Sequence, residues 1–212
     1  MKAAIALFLA AAALAAPAAA QETQVTPDTP PATAQDRAIL HEFARCVAGR
    51  WPDQAASLIA GFSNSDEDRR ALLRLTDDSS RACLGRGVLR FAPELFIGGM
   101  AERLIERDAG SATLAARVAL NPDAAPFTAR DETEVMSICI ARAAPAEVAS
   151  LFASTPGTPE ERAAFQAIGP GISPCLARGT ELRVNRPGLR AMLARSVYRL
   201  IRHNAAPAGA GN

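Results

Sequence analysis

The sequence predicts an all-α fold built from two tandem homologous helical halves, about four helices in each, with every half stapled by one disulfide. Three observations lead there. Apolar residues recur at three- and four-residue spacings, and no stretch alternates as a half-buried strand would. Prolines and capping residues stand where helices would begin. A block starting at Cys46 returns at Cys139 with a constant shift of 93 residues.

The chain opens with an address label. Met1-Lys2 supplies a short positive start, Ala3 to Ala15 is uninterrupted apolar sequence, and Pro17 precedes the small-residue triplet Ala18-Ala19-Ala20. Residues 1–20 therefore read as a signal peptide cleaved near Ala20-Gln21, which sends the mature protein to the periplasm or the outside of the cell. The apolar run is too short for a membrane anchor, Gln21 is not a lipidated Cys, and no later stretch is long enough to span a bilayer. Residues 21–35 carry three prolines and only Val25 as a sizeable apolar group, so they read as a disordered linker. Residues 204–212 read as a frayed tail.

The repeat organises the rest. Cys46-Val47-Ala48, Pro52 and Ala56-Ser57-Leu58-Ile59-Ala60 fall on Cys139-Ile140-Ala141, Pro145 and Ala149-Ser150-Leu151-Phe152-Ala153. Glu67, Arg69 and Ala71 fall on Glu160, Arg162 and Ala164. After a one-residue deletion, Cys83-Leu84-Gly85-Arg86-Gly87 meets Cys175-Leu176-Ala177-Arg178-Gly179. The halves are 36–107 and 131–203, joined by a connecting segment, 108–130, with one short helix from Ser111 to Leu120.

Each half spells out its helices. His41 to Val47 gathers Ile39, Leu40, Phe43 and Val47 on one side. Pro52 and Pro145 suit the first turn of a second helix. Ser65-Asp66-Glu67-Asp68 and Thr158-Pro159-Glu160-Glu161 open a third, the latter as a capping box. A short turn with the second Cys follows, stopped at Gly87 or Gly179. The last helix carries Leu189, Met192, Leu193, Ser196, Val197, Leu200 and Ile201 on one face; its counterpart carries Leu95, Ile97, Met100, Ala101, Leu104 and Ile105.

Four cysteines allow three pairings. A duplicated half needs its own bridge, which selects Cys46–Cys83 and Cys139–Cys175. Each closes a loop of about 36 residues, worth roughly 3–4 kcal/mol in the chain-entropy model. Zinc-type Cys spacing and Cys-x-x-Cys are both absent from the sequence, so neither metal nor cofactor is expected.

Charge narrows the chemistry. Lys2 is the only lysine and leaves with the signal, so 22 Arg face 22 Asp and Glu in the mature chain. That balance argues against nucleic acid as a partner, and a lysine-free chain has no Schiff-base chemistry. His41 and His203 read as surface residues, and no nucleophile, phosphate-loop or zinc-protease motif is present, so no catalytic residue is assigned. The acidic clusters at Asp66, Asp131 and Glu160 fall at helix starts, where negative charge is favoured. After Glu181 there is no acid at all, and Arg183, Arg186, Arg190, Arg195, Arg199 and Arg202 follow. A helical wheel sets Arg195, Arg199 and Arg202 opposite the apolar face, flanked by Arg186 and Arg190. These five residues are the candidate contacts to an anionic envelope surface or an acidic protein. The expected function is that of an exported, soluble, non-enzymatic binding or cell-envelope-associated protein. The alternative is a small periplasmic hydrolase working through carboxylates such as Glu67 and Glu160.

Overall fold

A computed structural model describes residues 32–85, 89–122, 125–179 and 182–206. The expected signal peptide, most of the linker, the Arg86-Gly87 copy of the repeated Arg-Gly pair and the end of the tail lie outside these residues. Among the described residues every regular element is helical. Four helices come first: α1 (Ala34–Arg50), α2 (Pro52–Gly61), α3 (Asp66–Cys83) and α4 (Pro93–Arg107). Then come the short α5 (Leu114–Val118) and four more: α6 (Glu132–Ala143), α7 (Pro145–Ala153), α8 (Pro159–Ile172) and α9 (Arg186–Ala205).

The starts follow the local chemistry. Pro52 and Pro145 each occupy a first-turn position, where the missing N–H costs nothing. Ser65 caps α3 in a full capping box with Asp68. Two boundaries move from the sequence reading. Thr33 and Asp36 form another capping box, so α1 takes in the last residues of the supposed linker. At the other end α9 runs to Ala205, held by Asn204 Nδ2, which donates to the carbonyls of Arg117 and Ala119. Cys83 is the last residue of α3 itself, whereas Cys175 lies in a separate 3-10 turn, Ser173–Cys175, after α8.

Asp68 holds the entry to α3. Its Oδ2 accepts from the backbone N–H and hydroxyl of Ser63, at 2.8 Å each, and from the same two groups of Ser65. These bonds, those of Ser63 foremost, favour the anion and pull the carboxyl from 3.8 to about 2. A depressed carboxyl pKa stabilises the fold above its unfolded value, and that contribution fades as pH falls through the folded value. Denaturant midpoints of Asp68→Asn should therefore fall less steeply than wild type as pH drops from 3.8 to about 2. Equal slopes would show that the bonds persist in the unfolded chain.

Helices α4 and α9 form the central pair, with α1 against α4 and α6 against α9. Small residues allow the approach. A methyl added at Gly98 would stand 2.5 Å from Ala191 Cα, and one at Gly99 would stand 2.8 Å from the Ala44 methyl of α1. Phe96, Ile97, Met100 and Leu104 of α4 and Leu193, Val197 and Leu200 of α9 are all but fully buried. The bridges Cys46–Cys83 and Cys139–Cys175 tie α1 to the end of α3 and α6 to the turn after α8. No single described helix is long and apolar enough to cross a membrane.

Candidate functional site

The chemistry gathers where α9 enters the core. Arg190 sits on its second turn, flanked by Leu189 and Ala191, and is 4% exposed. Glu102 of α4, 2% exposed, meets it in a two-pronged pair: Nε and Nη2 each donate at 2.7 Å, to Oε1 and Oε2. Nη1 donates to Glu161 of α8 at 3.0 Å, and Nη2 donates to the Ser154 carbonyl at 2.8 Å. Burial alone would push this guanidinium down; the two carboxylates outweigh it and hold Arg190 above its ordinary value.

His41 completes the set. Its side chain is 10% exposed, and Nε2 lies 2.8 Å from Glu102 Oε2, while Nδ1 is buried without a hydrogen-bond partner. This overturns the surface reading of His41. His203 is also engaged, with Nε2 2.7 Å from the Ala125 carbonyl and its ring edge-on to Phe127. The capping box expected at Thr158 is half made for a related reason. Thr158 accepts from the Glu161 N–H, but the Glu161 carboxylate turns inward to Arg190 and to the Gly157 N–H.

The basic face of α9 is not a surface face. Arg190 is interior, Arg199 pairs with Glu134 and lies over Phe127, and Arg195 donates to the Phe62 carbonyl and lies over the Phe62 ring. Burial, together with the like charge of Arg130, pushes the Arg195 guanidinium down. Arg186 and Arg202 are exposed, but sixteen residues of helix hold them about 24 Å apart. The wheel failed because it assumed one apolar face, whereas α9 touches α2, α4, α5, α6 and α7. Two of its arginines are absorbed by acids on other helices, Arg190 by Glu102 and Glu161 and Arg199 by Glu134. Sequence carried one signal of this, the small Ala191 and Ala194 beside Arg190 and Arg195, which mark close neighbours rather than solvent.

Glu67 and Glu160, the carboxylates of the hydrolase alternative, are exposed in the first turns of α3 and α8, where they face no partner across a cleft. One hydroxyl of the His41 cleft is already engaged. The nearby Ser154 hydroxyl donates to the Leu151 carbonyl. Among the described residues no three His, Cys, Asp or Glu side chains converge on a cation position.

One roomy cleft opens beside the network. It holds about 410 Å3 between α1 and α4 on one side and α5 and α7 on the other. Ile105, Leu114, Ala149 and Phe152 give it an apolar floor, and His41, Arg45, Glu106 and Arg117 are at its polar edge. Burial would raise the Glu106 carboxyl, but bonds from Arg103 and Arg45 prevail and hold it low. Arg117 differs. Its Nη1 donates to the Ile105 carbonyl at 2.8 Å, no carboxylate lies within ion-pair distance among the described residues, and burial pushes its pKa down. The cleft thus joins apolar surface to a half-buried cation that makes no direct ion pair among the described residues; Asp108 acts on it only at longer range.

No protein-family model matches this chain, and neither a curated protein nor a solved structure is significantly similar to it.

Proposed function

We propose that the chain is an exported, non-enzymatic binding protein of duplicated origin, which holds a small amphipathic molecule between α1 and α4 on one side and α5 and α7 on the other. The observation that carries this reading is the 410 Å3 cleft, a volume in the range of small-molecule sites, with Arg117 left without a carboxylate at its edge. A ligand with an apolar body would cover Ile105, Leu114 and Phe152, and its anionic end would supply the direct ion pair that Arg117 lacks. The two disulfides support export, because such bridges persist in oxidising compartments. The matching order of helices on either side of α5, each set opening its second helix with proline, supports duplication.

Titration with anilinonaphthalene sulfonate, an apolar ring system with one anionic group, tests the cleft. Wild type should bind it saturably. Ala153→Trp, which fills the cleft from an exposed position, should abolish binding without lowering the melting temperature. Arg117→Gln should weaken it about tenfold, the size of one charge-assisted bond. Equal affinity in all three proteins would remove this cleft as the site. Export is checked separately: the mass of protein recovered from its own periplasm should correspond to a chain starting at Gln21.

A further inference from the structure

A second cleft lies on the other side of the buried network, away from α5 and α7. It is polar, holds about 300 Å3, and is lined by Arg37, Gly157, Thr158, Glu161, Arg162, Arg186 and Pro187. Its arginines come from three separate helices, and each belongs to the start of its helix. Arg186 is the first residue of α9, Arg37 is the fourth of α1, and Arg162 is the fourth of α8.

That placement runs against the helix dipole. The start of a helix carries partial positive charge and favours Asp or Glu; a cation there is disfavoured. Here three positive helix ends converge and each adds a guanidinium. Among the described residues none of the three arginines lies within ion-pair distance of a carboxylate. Arg37 Nη1 donates to the Ala32 carbonyl at 2.7 Å, a neutral partner. The acids nearby are otherwise engaged. Asp36 caps Thr33, Glu160 bonds Thr158 and its own backbone, and Glu161 is held between Arg190 and the Gly157 N–H. The fold thus collects three guanidinium groups in one open notch whose one lining carboxylate, Glu161, is already engaged by Arg190 and the Gly157 N–H.

We propose that this notch is an oxyanion site that takes a phosphate group, either free or as the headgroup of an anionic lipid. Guanidinium groups present paired N–H donors that match phosphate oxygens, and three of them around one notch can bind such a group from several sides. The site stands apart from the α1–α4–α5–α7 cleft and does not depend on what that cleft holds. It keeps one arginine of the basic C-terminal segment, Arg186, in contact with an anion, though in company with Arg37 and Arg162 rather than with the rest of α9.

The test uses the mature protein at low ionic strength, with calorimetric titration of glycerol phosphate and sedimentation with vesicles that contain phosphatidic acid. Wild type should bind at least one of them. Arg37→Gln, Arg162→Gln and Arg186→Gln together should weaken that binding about tenfold or more, since two or more charge-assisted contacts are lost. Arg202→Gln, at the far end of α9, should leave it unchanged. Binding to glycerol phosphate alone assigns a free phosphate; much tighter binding to vesicles, lost in the triple variant, assigns a lipid headgroup. Binding that survives in the triple variant, or that falls equally in Arg202→Gln, would overturn the proposal. So would the absence of binding to either probe. Circular dichroism melts show whether the triple variant is folded, and the double reversal Arg162→Glu, Arg186→Glu, at two exposed positions, provides a second variant with the same expected loss.

Discussion

Arg190→Ala should destabilise the protein by about 3–5 kcal/mol, the cost of stranding buried carboxylates without their cation. Glu102 and Glu161 would keep their positions in the core and lose the donors that satisfy them. The Ser154 carbonyl would lose its donor as well. Denaturant midpoints measure the loss. The pair Arg190→Met with Glu102→Gln should recover part of it, because neither partner then carries a buried charge. A cost below about 1 kcal/mol, the size of an exposed pair, would mean that both carboxylates reach water.

Removing a disulfide should come next in size. Cys46→Ala with Cys83→Ala opens a loop containing α2 and α3; Cys139→Ala with Cys175→Ala opens one containing α7 and α8. Each change should cost roughly 3–4 kcal/mol and lower Tm by about 10 °C in a chain of this length. Thermal melts followed by circular dichroism check this, with helical content at room temperature kept. Unchanged melting in either variant would show that packing alone orders that loop. The hydrophobic contacts give a reason to expect otherwise. Cys83 and Cys175 are only partly buried, and the segments they anchor lie at the margin of the core.

Much of this architecture was legible because its signals are local. Proline at 52 and 145, serine at 65 and threonine at 158 start helices through bonds within one turn, so they need no knowledge of the rest of the fold. The disulfide pairing expected from one bridge in each proposed half is the one present. The candidate sites were not legible, because they are made by residues far apart in sequence. Glu102 and Arg190 are 88 positions apart, and nothing near either one announces the other. His41 was misplaced for the same reason: its partner Glu102 is on α4, 61 positions away. A wheel can also identify an apolar face but cannot show that a helix packs against neighbours on several sides, which is what turned Arg190, Arg195 and Arg199 from ligands for an outside surface into internal donors.

Gly98 has a consequence beyond close packing. The nearest atom to a methyl there would be the Ala191 Cα, a backbone atom that no change of side chain at 191 can remove. Position 98 is therefore closed to second-site rescue: any added atom can be admitted only by moving one helix axis away from the other. Glu102 lies one turn beyond Gly98, and Arg190 directly precedes Ala191. The absent side chain acts as the gauge that sets how far apart this acid and this base stand. A single methyl at position 98 would lengthen their bond, although it touches neither charge.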